Sequence, residues 1–322
     1  MSALTAPPPQ SASAPGSAPA PTRGRRRFHI PLLLAPFALL FAIAFVAPLV
    51  YGLVLSLFRE RFTGLGWNGS HLAFAGLHDY ARALQDSRFL DGLGRVLLYA
   101  VIDVPLMLAI SLVLALLLDS ALTTARRFFQ ALLLLPHFVP GLIAALIWVY
   151  LYTPGLSPLT SWLNDIGLHI SFFSSDSVLG SIINISLWQW IGYNSVLLYV
   201  ALQSVSPSVL EAARLDGAGE IRTALSIKVP HIRPALVVSG LFTIIGSLQL
   251  FTEPKILQGS AGSTVTASWT PNLLAFSEAF NSNDYSYAAA ISLLLAAVAG
   301  VLSLLAMKLV GRVDRSSQEA NS

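Results

Sequence analysis

The chain has 322 residues, of which 55% are hydrophobic and only 11% are charged, and its formal net charge is +3. Soluble domains carry roughly a quarter of their residues as charged side chains, so this composition predicts a protein that lies largely in lipid. The sequence contains no cysteine, which excludes disulfide scaffolds, cysteine-ligated metal sites and thiol nucleophiles.

The N-terminal stretch, residues 1–27, is rich in Pro, Ala and Ser and ends in a cluster of arginines. A segment of this composition cannot bury an apolar core, because it has too few large apolar side chains. We therefore predict a disordered tail with a basic end.

Six stretches poor in charge follow the tail, each close to or longer than the ~20 residues that a helix needs to cross a membrane. They are Phe28–Phe58, Val96–Leu118, Phe128–Asn164, Ser177–Leu210, Pro234–Thr252 and Tyr285–Met307. Backbone polar groups in lipid must be paired within the segment, so the pattern predicts an all-α, polytopic membrane protein. We expect a six-transmembrane-helix bundle over residues 28–312 and a short tail over residues 313–322.

The orientation follows from the distribution of Lys and Arg between the loops. With a cytoplasmic N-terminus, 13 of these residues fall in inside segments and 6 in outside segments. Positive residues favour the cytoplasmic side, so both termini are expected there.

The segment between the fourth and fifth spans, residues 206–234, is polar and contains several helix breakers. It predicts one short helix that begins at Pro207 and ends at Asp216-Gly217, and a second over 218–228 that is stopped by Pro230 and Pro234. Two short helices are thus expected to project into the cytoplasm.

This segment resembles the EAA signature of permease subunits of ATP-binding-cassette importers, which reads E-A-A, three residues, G, nine residues, I, one residue, L-P. The matching residues have that spacing, with Val229 where Leu is usual: Glu211, Ala212, Ala213, Gly217, Ile227 and Pro230. The resemblance implies that the helix from Glu211 to Leu215, with Asp216 at its end, docks on a cytoplasmic ATPase. The alternative is an ordinary amphipathic connector between two spans.

The resemblance covers about Phe28 to Arg312, and within the family the chain looks like the carbohydrate branch of these permeases. Three segments carry this likeness: FAGLHDY in the first loop, the third span, and DGAGEIRTALSIKVPHIRPAL. It implies the type I importer permease (MetI-like) fold in the cell membrane of a prokaryote. The implied partners are a second, similar permease, two ATPase subunits, an extracytoplasmic solute-binding protein and a sugar substrate. The branch's T-x-G-G-P turn is replaced here by Gln258–Gly262, so no role tied to that turn carries over.

Polar and aromatic residues in the fourth and fifth spans are candidates to line a sugar pathway, because sugars need hydrogen-bond partners and flat apolar faces. The candidates are Trp188, Gln189, Trp190, Tyr193 and Asn194 in the fourth span, and Ser247 and Gln249 in the fifth. The tryptophans can equally lie at the membrane interface or in helix packing.

Four further residues have two interpretations each. Asp103 is the one charge inside the predicted second span, near its outer end. Its side chain can either be solvated there or have a functional role. Glu253 and Lys255 flank Pro254 and can either meet the binding protein or pair with each other. For His137, a packed or helix-kink position is favoured over metal binding, because no second ligand stands at a suitable spacing.

The predicted function is therefore a permease subunit of an ATP-driven sugar importer. The sequence GSAGST at 259–264 lacks the lysine of a phosphate-binding loop, so we expect no ATP hydrolysis by this chain. We also expect no catalytic residues and no cofactor or metal. The alternatives are a permease for a non-sugar solute and a stand-alone ion-coupled carrier, which normally keeps ionisable residues at the membrane midplane.

Overall fold

The structure is a computed structural model that describes residues 29–62, 70–120 and 125–319. The predicted tail over residues 1–27 lies outside these ranges. The chain divides into two units, Met1–Tyr51 and Gly52–Ser322. The first unit holds helix α1 (His29–Phe41), a π-helical turn (Ala42–Val46) and the start of helix α2 (Ala47–Ser56).

The second unit is almost entirely helical. It opens with an antiparallel hairpin of β1 (Phe58–Phe62) and β2 (Ser70–Phe74), in which Phe58 pairs with Phe74. Its longest helices are α4 (Ser87–Asp119), α8 (Val178–Leu202), α12 (Arg233–Leu248) and α15 (Tyr285–Glu319). The remaining helices are α3 (His78–Gln85), α5 (Arg126–Leu134), α6 (Gly141–Tyr152), α7 (Pro158–Asp165), α9 (Pro207–Leu215), α10 (Glu220–Thr223), α11 (Val229–His231), α13 (Thr252–Ala261) and α14 (Pro271–Phe280).

Within the described residues, three helices are long and apolar enough to cross a membrane alone: Leu34–Ser56, Ser87–Asp119 and Tyr285–Lys308. Three bent pairs of helices meet the same test together, namely Arg126–Phe138 with Gly141–Tyr152, Val178–Leu202 with Pro207–Leu215, and Glu220–His231 with Arg233–Leu248. Counted as one span each, the bent pairs give the predicted six-span, all-α architecture.

The third predicted span is broken. Its two helices meet at 92°, with a 3₁₀ turn (Leu135–Phe138) between them. Pro136 and Pro140 stand on either side of the bend and lack the N–H groups that a continuous helix needs. Helix α6 ends at Tyr152 and Thr153 follows with an extended backbone, so the helix stops before the end of the apolar stretch at Asn164.

Helix α4 begins at Ser87, earlier than the predicted Val96, because the Asp86 side chain caps it by accepting a hydrogen bond from the Arg88 backbone N–H at 2.9 Å. Asp103 is therefore further from the start of its helix than the predicted start at Val96 implies. Asp103 stands midway between Ser87 and Asp119, and it is 1% exposed. Pro105, two residues further on, is the proline inside this helix.

The loop between α8 and α12, which we call the 206–232 loop, has the predicted first helix, with Pro207 in its first turn and Leu215 at its end. Pro230 does not stop the second helix as predicted. A π-helical turn (Ala224–Lys228) precedes α11, and the Val229 N–H bonds to the Ala224 carbonyl, so the i→i−4 pattern is already interrupted where Pro230 lacks its N–H. The break comes at Ile232, and the chain turns by 68° into α12.

Helix α8 forms the centre of the unit and packs along α4 and against α5. Gly192 of α8 is buried, and a Cβ atom there would collide with the backbone carbonyl of Leu133. The two backbones therefore approach more closely than any other residue at position 192 would allow.

An ion-pair network joins α3, α14 and the starts of α4 and α15. Its hydrogen bonds link Arg88 Nη1 to Glu278 Oε1 at 2.8 Å, Arg82 Nη1 to Asp284 Oδ2 at 2.7 Å, and the Tyr287 hydroxyl to Asp86 Oδ2 at 2.8 Å. Burial alone would raise the pKa of Asp86, but hydrogen bonds from Arg88 and Tyr287 outweigh it and lower the pKa. This set, the Arg88 network, fixes the end of α4 that lies opposite Asp119.

Candidate substrate cavity and coupling loop

A cavity of about 250 Å³ lies between α4, α8, α12 and the start of α13. Its lining combines aromatic faces with polar groups from all four elements. The lining includes Tyr99, Asp103, Ser186, Trp190, Tyr193, Asn194, Thr243, Ser247, Gln249 and Glu253. Such a mixture of flat apolar and hydrogen-bonding surfaces is typical of small-molecule sites.

Five of the seven residues predicted for the substrate pathway line this cavity: Trp190, Tyr193, Asn194, Ser247 and Gln249. The other two point elsewhere. The Gln189 side chain donates a hydrogen bond to the backbone carbonyl of Val139 at 3.0 Å, and the Trp188 ring packs edge-on against Trp148, with 6.0 Å between centroids.

The lining residues of α8 also include Trp190, which was predicted, and Ser186, which sequence reasoning missed. Together with Tyr193 and Asn194 they recur at helical spacing, so the four share one face of α8. That spacing was the signal that would have separated Trp190 from Trp188 and Gln189.

Helices α8 and α12 are tied together at the cavity by buried polar contacts. The Ser239 hydroxyl donates a hydrogen bond to Asn194 Oδ1 at 2.5 Å, and the Asn194 amide donates to the Trp190 backbone carbonyl at 3.1 Å. Since both Asn194 and Ser239 are almost fully buried, these contacts satisfy polar groups that would otherwise be costly.

His137 packs against the same aromatic pair. Its ring lies 4.7 Å from the Trp190 centroid, edge to face, and 4.7 Å from the Tyr193 centroid in a stacked arrangement. The broken third span thus supports one wall of the cavity through an aromatic cluster.

Two carboxyl groups, those of Asp103 and Glu253, line the cavity. The Ser247 hydroxyl donates a hydrogen bond to Asp103 Oδ2 at 3.2 Å. Burial raises the pKa of Glu253, although a backbone hydrogen bond acts in the opposite direction. Lys255 does not form an ion pair with Glu253 within the described residues; its ammonium donates to Gln258 Oε1 at 3.3 Å.

The 206–232 loop presents the predicted EAA residues around a tight turn. Ala213 is buried, whereas Glu211, Ala212, Leu215 and Asp216 are exposed. Gly217 has a φ of +74°, a left-handed conformation that favours glycine, and the Ala218 N–H donates to the Ala213 carbonyl at 2.9 Å to close the helix end. Ile227 and Pro230 are half-buried on the second helix.

The second helix of this loop is anchored to the ends of two long helices. Lys228 Nζ forms an ion pair with Asp119 Oδ2 of α4 at 2.5 Å, and the Gln203 amide beyond α8 donates to Asp119 Oδ1 at 2.8 Å. The loop is therefore connected to α4, whose middle carries Asp103 into the cavity.

A helical bundle with up to six candidate spans, a polar cavity and an exposed two-helix loop fits the transport permease class predicted from the EAA pattern. The chain belongs to the family described as the binding-protein-dependent transport system inner membrane component, whose model matches residues 80–318. It is thus a permease subunit and not an enzyme, and the alternative of a stand-alone carrier is not favoured.

Named relatives and solved structures agree with this assignment. The chain is 32% identical over 286 residues to the probable ABC transporter permease protein YurN of Bacillus subtilis (strain 168), covering 87% of this chain and 95% of the relative. It is 30% identical over 289 residues to the sn-glycerol-3-phosphate transport system permease protein UgpA of Salmonella choleraesuis (strain SC-B67). That match covers 89% of this chain and 95% of the relative.

The fold matches a chain of a bacterial ABC transporter involved in import of the acidic polysaccharide alginate, with a TM-score of 0.74 at 21% identity, covering 88% of this chain and 95% of the other. A chain of a bacterial alginate ABC transporter in complex with an alginate pentasaccharide-bound periplasmic protein gives a TM-score of 0.75 at 20% identity, covering 88% of this chain and 94% of the other. The predicted permease fold is confirmed.

Proposed function

We propose that this chain forms half of the translocation pathway of an ATP-driven sugar importer and couples to a cytoplasmic ATPase through the 206–232 loop. A second permease completes the pathway, two ATPase subunits supply the energy, and an extracytoplasmic binding protein delivers the sugar. Both termini and the 206–232 loop lie in the cytoplasm.

The observation that carries the coupling role is a set of strongly exposed apolar side chains on the 206–232 loop. Leu215 is 90% exposed, Ile221 78% and Leu225 63%. Large apolar side chains in a protruding, water-facing segment mark a protein-binding surface, because their burial by a partner releases them from water. Glu211 and Asp216 add charges beside this apolar ridge of Leu215, Ile221 and Leu225.

Support for a sugar cargo comes from the cavity and from the relatives. The Trp190 and Tyr193 rings offer flat apolar faces, and Asn194, Ser247 and Gln249 offer hydrogen-bonding groups. At about 250 Å³ the cavity is smaller than the ~300–1,000 Å³ of typical ligand sites. A second permease facing this one would enlarge it to a complete site.

The first test of the coupling role is Leu215→Glu. We expect this variant to insert normally but to lose co-purification of the ATPase subunits and ATP-driven uptake by tenfold or more, because a charge replaces an apolar contact at the centre of the ridge. The measurement is the ATPase-to-permease ratio after affinity purification in a mild detergent.

The matched control is Leu77→Glu. Leu77 is 70% exposed and precedes α3, beside the Arg88 network and away from the loop. It should leave the ATPase-to-permease ratio unchanged. Equal ratios for the Leu215 variant and the wild type would contradict the docking role.

The orientation can be tested on the same two positions, since the natural sequence has no cysteine to give background labelling. We expect Leu215→Cys to react with a membrane-impermeant maleimide in inside-out vesicles only, and Leu77→Cys in right-side-out vesicles only. The reverse pattern would invert the proposed topology.

A further inference from the structure

Asp103 of α4 is a carboxyl group whose role none of the contacts above explains fully. Its side chain is 1% exposed and lines the cavity, yet Oδ1 has no hydrogen-bond partner among the described residues. Oδ2 accepts from the Ser247 hydroxyl at 3.2 Å, and the Ser186 and Tyr99 hydroxyls also interact with this carboxyl group. A buried acceptor without a donor is costly, so its retention in a cavity wall points to a donor that arrives with a ligand.

The cavity offers no positive side chain to an anion. Of the described residues that line it, none is Lys or Arg, whereas two, Asp103 and Glu253, carry carboxyl groups. The nearby Lys255 is occupied elsewhere, donating to Gln258 and lying 4.8 Å from the Phe276 ring centroid. A negatively charged solute would lie beside these two carboxyl groups, and no cation of the described lining would offset the repulsion.

The groups around Asp103 suit a hydroxyl-rich solute. Tyr99, Ser186 and Ser247 place hydroxyl groups on the same lining, and the Trp190 and Tyr193 rings, each 42% exposed, offer apolar faces. A sugar hydroxyl can donate to Asp103 Oδ1 while the C–H face of its ring covers an aromatic side chain.

We propose that Asp103 is a substrate-binding residue that accepts a hydroxyl hydrogen bond, and that it selects sugars without negative charge. This inference rests on the proposed function and narrows its substrate class. It separates this chain from relatives whose names specify anionic solutes, sn-glycerol-3-phosphate and the acidic polysaccharide alginate.

The test uses the complete importer, purified with its partner permease and ATPase subunits, and three probes that share one disaccharide skeleton. Cellobiose is neutral, cellobiouronate carries a negative charge, and the β-1,4-linked glucosamine dimer carries positive charge. Equilibrium dialysis without the binding protein measures their binding to the permease cavity itself. We expect cellobiose and the glucosamine dimer to bind at least about tenfold more tightly than cellobiouronate.

The variant Asp103→Asn keeps the size of the side chain but weakens the acceptor. We expect it to reduce cellobiose affinity about tenfold and to narrow the discrimination against cellobiouronate, with the ATPase-to-permease ratio unchanged. Asp91→Asn is the matched control, because Asp91 is an exposed carboxyl on the same helix, and its affinities should equal those of the wild type.

The outcomes separate this inference from the proposed function. Preference of the wild-type complex for cellobiouronate, or unchanged cellobiose affinity in Asp103→Asn, would overturn the role of Asp103 while leaving a sugar importer intact. A complex that binds none of the three probes would overturn the role of Asp103 and remove the support that the cavity gives to a sugar cargo.

Discussion

Replacing Gly217 with valine is expected to abolish ATP-driven uptake while leaving the chain in the membrane. Gly217 has a φ of +74°, and a β-branched residue is strongly disfavoured there. The strain costs on the order of 1–2 kcal/mol, and it is relieved by opening the turn between α9 and α10. Leu215 and Ile221 stand on opposite sides of that turn, so the apolar ridge loses its shape.

The control for Gly217 is Gly167→Val. Gly167 also has a positive φ, +82°, and a Cβ atom at either glycine would meet no other atom within 4 Å. Both variants therefore carry the same kind of backbone strain without a collision, and only one lies in the 206–232 loop. Uptake assays in proteoliposomes should show a loss for Gly217→Val alone; equal activities would refute the requirement for this turn.

The largest effect on stability is expected from Gly192→Ala. The added methyl group would occupy the space of the Leu133 carbonyl, and backbone atoms cannot move aside as a flexible side chain can. Separating α8 from α5 should cost about 3 kcal/mol, at the upper end of overpacking effects. We expect a clear fall in the midpoint of thermal unfolding in detergent, together with weaker substrate binding, because α8 carries Trp190, Tyr193 and Asn194.

Gly180→Ala provides the comparison in the same helix. A Cβ atom at Gly180 would meet nothing within 4 Å, so the methyl group has room. Alanine is also the better helix former, and the substitution should change stability by less than ~1 kcal/mol. If both alanine variants unfolded at the same temperature, the close approach at Gly192 would not be the cause.

The sequence was sufficient for the features that depend on local composition. Long apolar runs indicated the spans, and Pro207 with Gly217 marked the first helix of the 206–232 loop, because helix starts and turns are encoded by neighbouring residues. The EAA spacing indicated the family, which the match over residues 80–318 confirms.

Features that depend on contacts between distant segments could not be read in this way. Asp103 was placed near a helix end because charges were used to mark the limits of the span. The helix actually begins at Ser87 and brings Arg88 to Glu278, 190 positions away in sequence. The lining of the cavity was equally beyond sequence, since Trp188 and Trp190 are alike in type and differ only in the face of α8 that they occupy.

Helix α4 is held at both ends and is weakest near its middle. The Arg88 network fixes its first turn, Lys228 joins Asp119 at its last, and Pro105 removes the N–H that would bond to the Val101 carbonyl. Asp119 lies about 24 Å along the helix from Asp103. A force on Asp119 that moves this end of α4 can therefore bend the helix at Pro105, where a backbone hydrogen bond is missing. We expect flexure at Pro105 to turn the Asp103 carboxyl towards or away from its cargo while the outer ion pairs stay closed, so that release of the solute needs no rupture of the bundle.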